Sequence, residues 1–266
     1  MARAKKVVTG IESKEMDHLK KFYERKGEYS VMPLMLVGTT PLLMHAWGQK
    51  ALMEMLSKMT GHDMPQQDKD LQEDYEQAFY RNVKGANVLP CRILKRCFLD
   101  GALATKKAVF KTDLGRYLRV MGQTTVIVGE PRMDVRITRV GGQNKAPNVC
   151  ARPIFDEWEV KIVVKFAHEF ITADKVLLSI ESAGEAVGLC EWRPSSKAPG
   201  EMGCFRVEHL PVTEVDKILK DCREPERIPE IPTAFLRAAN GKPMPDQAKN
   251  IVAAAGRRVN GKHAQA

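Results

Sequence analysis

"VGLCEWRPSSKAPGEMGCFRVEH", Val187 to His209, sets two short apolar runs around a connection that carries Gly188, Pro194, Pro199, Gly200 and Gly203. A tight hairpin turns in about two residues, and this connection spends roughly ten, a length that in a compact domain points to function or to disorder. Trp192 opens it, Arg193 and Lys197 lie within it, and Phe205 and Arg206 follow it. The reading is an extended C-terminal hairpin of two strands with cations and aromatics at its roots.

Outward from there, "TADKVLLSIESAG" has helical spacing, with Thr172 as N-cap, Val176, Leu177 and Ile180 as buried stripe and Gly184 as stop. "FDEWEVKIVVKF" before it alternates as a strand does, through Trp158, Val160 and Ile162. "GGQNKAPNVCARP" reads as a polar loop. "TTVIVGE" and "MDVRITRV" read as strands joined by the turn "GEPR", with Val135, Ile137 and Val140 as an apolar side.

Further upstream, "LPCRILKRCFLDGALATKK" is the clearest helix. Pro90 suits its first turn, and Ile93, Leu94, Cys97, Phe98 and Ala102 form one stripe, leaving Arg92, Lys95 and Arg96 on the solvent side. Another helix fits "AWGQKALMEMLSKM", a short one fits Leu71–Phe79, a strand fits Tyr29–Val37 and a last helix lies near Val212–Leu219. Without the long middle insertion the order is βαββαβ, an α+β ferredoxin-like core of the kind found in RNA-recognition motifs. The expected organisation is a basic arm over residues 1–27, a domain over 28–222 with a helical insertion at about 47–107, and a proline-rich basic arm over 223–266.

The net charge of +9 sits at the two ends, where residues 1–27 and 223–266 each carry eight Lys/Arg against four Asp/Glu. Two basic ends suit a polyanion partner, although basic tails also serve solubility alone. Six cysteines are dispersed without a CxxC pair, so the expectation is inert thiols, with Cys190 and Cys204 facing each other across the hairpin and kept reduced in a cytosolic setting. No apolar run approaches the ~18 residues of a membrane span and the N-terminus lacks a secretory apolar stretch; a cytoplasmic protein with no membrane partner is expected. No GxxxxGK[ST], HExxH or GxSxG segment occurs, and the expectation is no cofactor, no metal and no catalytic residue.

The candidate nucleic-acid-binding residues follow from charge and aromatic faces. Arg193, Lys197 and Arg206 supply cations at the loop, and Trp192 and Phe205 supply rings for base stacking or, alternatively, belong to the core. Arg92, Lys95 and Arg96 form a cationic helix face or a merely solvated one. Lys145 and Arg152 lie on a second finger-like loop suited to clasping a neighbouring copy. His45, in "PLLMHAW", is a binding contact, a structural residue or a general acid or base.

"AVGLCEW…GEMGCF" and "LMLVGTTPLLMH" resemble the glycine-rich loop and first strand of the RAMP superfamily, the RNA-binding folds of CRISPR effector complexes, with Cys190 standing where that pattern carries a second glycine. The phrases "G-x-x-PLLMH-x-W" and "VG-x-x-EWRP…G-x-F" resemble a set of uncharacterised tailed-phage and prophage proteins. These resemblances imply a protein that binds single-stranded nucleic acid, DNA favoured over RNA, in phage replication or recombination, and that oligomerises along the strand. They leave two alternatives: a metal-independent RAMP-type endoribonuclease using His45, or a virion or assembly protein.

Overall fold

Alternation in two strands builds the centre. In β9 (Glu159–Ala167) Val160, Ile162, Val164 and Phe166 face one side, and in β2 (Tyr29–Gly38) Met32, Leu34 and Leu36 join them. The two strands pair antiparallel from Tyr29–Ala167 to Val37–Glu159. The computed structural model describes residues 24–26, 29–60, 69–106, 108–139, 147–197 and 199–229.

Around this pair the ferredoxin-like order is complete. β10 (Phe205–His209) flanks β2 along Leu34–Gly38, while β1 (Glu24–Lys26) takes the rest of the same edge. On the far edge of β9, β5 (Leu118–Val120) and β6 (Thr124–Val128) act as one interrupted strand, and β4 (Val88–Pro90) extends it. Two helices cover the inner face: α3 (Cys91–Ala104), after β4, and α5 (Ala173–Ala186), after β9. They touch closely at Gly101, where a Cβ would overlap the Ser179 carbonyl oxygen and the Ala183 side chain. Within the span expected as a helical insertion, α1 (Gln49–Thr60) and α2 (Leu71–Gln77) are the added elements, and α3 is the first helix of the core itself. α4 (Lys111–Tyr117) leads into β5.

The second face of the sheet is covered at its centre. After a 3-10 turn at Val212–Glu214, α6 (Val215–Asp221) lays Ile218 and Cys222 against Val163, with Val31, Met35 and Met121 packed around them. Lys161 on this face pairs with Glu214 at 3.1 Å.

Several sequence expectations change. The "GGQNKAPNVCARP" loop becomes strand from its seventh residue: β8 (Pro147–Phe155) pairs with β7 (Pro131–Arg139), and β3 (Leu42–Leu43) pairs with β8 on its other side. Prolines at 147 and 153 disguise the strand, since proline reads as a breaker even where its missing N–H is not needed. β6 and β7 do not pair across "GEPR"; the chain passes there from the large sheet to the small one. Val135 and Ile137 of β7 are exposed, whereas Val140 lies outside the described residues.

Gly184 is no helix stop. It lies inside α5, where the helix backs so closely onto β10 that a Cβ would strike the Phe205 carbonyl oxygen. The extended C-terminal hairpin is corrected as well: only its return limb, β10, is a strand. The outgoing limb from Val187 is a looped path tied back by Leu189 N–H to Gly203 O (2.9 Å) and Met202 N–H to Trp192 O (3.0 Å). Of the two arms, only Glu24–Lys26 and residues 223–229 are described.

The α3–α5 contact gives a stability test. Gly101→Ala should destabilise by about 1–3 kcal/mol through overpacking, despite a helix-propensity gain of about 1 kcal/mol. A urea titration followed by circular dichroism measures it.

Candidate nucleic-acid interface

The loop after α5 is shaped by its backbone. Gly188 and Gly203 have φ of +72° and +74°, and so, without being glycines, Cys190 and Trp192 have φ of +61° and +52°. L-residues seldom adopt this region. Cys190 holds a left-handed conformation that glycine adopts without a Cβ penalty. The cost is met by ties to the sheet: Gly203 N–H donates to Pro41 O (2.8 Å), Cys204 N–H to Thr40 Oγ1 (2.9 Å) and Glu191 N–H to Leu43 O (3.1 Å).

That last bond organises a cluster. β3 has Glu191 on one side and β8 on the other. Two residues beyond Leu43, His45 therefore meets the Glu191 carboxylate, which lies 2.7 Å from Nδ1. Arg152 of β8 closes an ion pair on the other Glu191 oxygen. A second contact runs parallel to it: the Arg136 guanidinium of β7 lies 4.4 Å from the Trp192 ring centroid and also pairs with Asp134.

Burial, and secondly the Arg152 charge, lower the His45 pKa to about 4. A carboxylate alone would raise it, but Arg152 already neutralises Glu191. The imidazole is thus neutral near pH 7, with Nδ1–H given to Glu191. Tyr80 donates its hydroxyl to the His45 carbonyl (3.1 Å), and burial first of all pushes its pKa up to about 12.

Beside His45 runs a groove of about 470 Å³, between the first half of α3 and the loop. Arg92 and Arg96, one turn apart on α3, line it together with Arg193, Trp47, Tyr80 and Asp100. Arg193 is oriented by the Cys190 carbonyl and Ser195 Oγ, both 3.1 Å away, and carries no ion pair among the described residues. Arg96 pairs with Asp100 at 3.0 Å, and Arg92 forks onto Glu226. Trp47 is 62% exposed.

The structure thus gathers Arg92, Arg96, Arg193 and His45, with Arg152 behind His45, and separates the other candidates. Phe205 is 4% exposed and packs edge-on against Trp158, so it is a core ring with no face for a base. Arg206, next to it on β10, points to the opposite face of the sheet by strand alternation and pairs with Glu208 at 2.5 Å. Lys95 turns to the Gly115 carbonyl (3.2 Å). Lys197 is exposed at the outer turn of the loop. Trp192 has one ring face occupied by Arg136. Lys145 lies outside the described residues. All six cysteines are free thiols, and burial raises Cys190 to about 12, opposed by Arg193.

Sequence reasoning missed Glu191 as the partner of His45 and Trp47 as an accessible ring. No local signal marked Glu191, whose partner lies 146 residues away; the signal for Trp47 was a large ring just after the first strand's turn. Among the described residues no cluster suited to a metal ion occurs, and no helix is long and apolar enough to cross a membrane.

No family model matches the chain, and no curated protein matches it in sequence. Among solved structures it is similar to a chain of the type III-B Cmr-beta complex, determined by cryo-electron microscopy bound to cognate target RNA. The TM-score is 0.42 at 10% identity, over 75% of this chain and 65% of that one, less than two thirds of its length.

The His45 cluster predicts a pH dependence of stability. With its folded pKa at about 4 and its ordinary value at 6.5, the unfolded chain binds the extra proton between these values, so stability falls as pH drops through this window. His45→Gln should lose less melting temperature than wild type between neutral pH and pH 4, as read by thermal denaturation.

Proposed function

We propose that the chain binds single-stranded nucleic acid along the groove between α3 and the Val187–Cys204 loop. The observation that carries this reading is the convergence of Arg92, Arg96 and Arg193 with the exposed Trp47 ring in one groove. Guanidinium groups fork onto phosphate oxygens, and an exposed indole offers a stacking platform indifferent to base identity. The groove is bounded by the loop on one side and a helix on the other, which suits one strand. α6 packs over Val163 at the centre of the sheet's outer face, where the open-sheet mode of RNA-recognition motifs would need room.

The partner favoured is single-stranded DNA during replication or recombination, with copies aligned along the strand. The row Met133, Val135 and Ile137, exposed on β7, supports self-association by offering apolar surface for a neighbour. Affinity for oligo-dT should fall steeply with salt. Arg96→Ala and Arg193→Ala should each flatten the salt slope by about one, Arg92→Ala by less because Glu226 already pairs with it, and Trp47→Ala should cost about 1–3 kcal/mol of binding. Arg206→Ala, on the opposite face, should change little. Fluorescence anisotropy with single-stranded DNA, single-stranded RNA and duplex measures all of these, and equal weak binding to all three would reduce the reading to nonspecific charge.

A second reading has its own observation, the His45–Glu191 contact. With Nδ1 held by the carboxylate, Nε2 of a neutral imidazole is left as a general base for a ribose 2′-hydroxyl attacking its own phosphodiester. Cleavage of labelled RNA without added metal would then rise as pH passes about 4 and level off toward neutrality. His45→Ala would abolish it. Intact RNA with wild type rejects this reading and leaves binding standing.

A further inference from the structure

The segment after α6 puts carboxylates on Arg92, which lines the groove, and on Lys84. Glu224 lies 2.8 Å from Lys84 Nζ, and Glu226 accepts from both Nη1 and Nη2 of Arg92. Glu224 sits in a bend and Glu226 in a single bridge, and each holds one cation as a backbone phosphate would. The Arg92 fork is also the geometry with which arginine holds a phosphate. Arg92 stands in the first turn of α3, whose N-cap, Pro90, offers no side-chain acceptor, so the helix dipole further favours an anion there.

The cations still face solvent, Lys84 at 70% and Arg92 at 63% side-chain exposure. The backbone of the segment is pinned at three points: Val83 N–H donates to Pro225 O (3.1 Å), Arg227 N–H to Arg81 O (2.7 Å) and Thr124 Oγ1 to Glu224 O (2.7 Å). It forms no helix or extended ladder, only a single bridge between Asn82 and Glu226.

We propose that Glu224 and Glu226 are an intramolecular mimic of two backbone phosphates, covering a binding subsite made by Lys84 and Arg92 until a nucleic-acid strand displaces them. This rests on the proposed groove and extends it by one residue, Lys84, which neither charge pattern nor motif singled out. In the resting protein the carboxylates neutralise the two cations, so a bound strand gains less from them than their charge would give.

The test uses the full chain and a labelled oligo-dT, titrated at several salt concentrations by anisotropy. The double variant Glu224→Gln/Glu226→Gln should bind about 3- to 10-fold more tightly than wild type at low salt, with a slope steeper by one to two. A charge-matched variant at exposed positions elsewhere, Glu130→Gln/Glu169→Gln, should gain clearly less. Adding Lys84→Ala/Arg92→Gln to the double variant should remove the gain. If the double variant equals wild type or the charge-matched control, the mimic is overturned while groove binding stands. If wild type and every variant fail to bind at low salt, the binding reading itself falls, and the mimic with it. Should the double variant lose its thermal unfolding transition, Glu226→Gln alone carries the same comparison.

Discussion

The backbone of the Val187–Cys204 loop turns through the left-handed region at Gly188, Cys190, Trp192 and Gly203, and the candidate site depends on that path. Two of those residues are not glycine, and each costs of order 1 kcal/mol or more of strain. The compensation is visible in the bonds from Gly203, Cys204 and Glu191 to the β2–β3 segment. Because Glu191 is tied to Leu43, its carboxylate reaches His45; because the chain then bends back at Trp192, Arg193 is brought over α3.

The ribbon β7–β8 braces the same loop from outside through Arg152 on Glu191 and Arg136 on Trp192. Part of its charge is therefore internal to the fold, which is why Arg152 belongs behind the site and not on its surface. α6 has an equivalent effect on the sheet. It covers Val163 and its neighbours, and the segment that follows α6 runs to Arg92.

The βαββαβ order was legible because β2, β9, α3 and α5 each bury a clean stripe at the period of their own element. The rest was hidden for identifiable reasons. β8 carries two prolines, and its pairing with β7 is a matter of tertiary context. Gly184 looked like a helix stop but is a point of close approach to β10. Phe205 and Trp192 are both aromatic neighbours of the loop, yet burial against Trp158 takes one and Arg136 covers the other. The groove cations Arg92, Arg96 and Arg193 could be picked from their place off the apolar stripe and in the loop. Glu191 and Glu226 could not, since their partners lie 146 and 134 residues away in sequence.

The central claim is that a single strand lies in the groove between α3 and the loop. Photo-cross-linking of an oligonucleotide carrying a photoreactive thymine analogue, followed by mass spectrometry of the digested protein, locates the strand directly. The account predicts cross-links on Trp47, on the Arg92–Arg96 turn and on the loop around Arg193. Cross-links confined to the β10 face around Arg206, or to the chain's two basic ends, would contradict it.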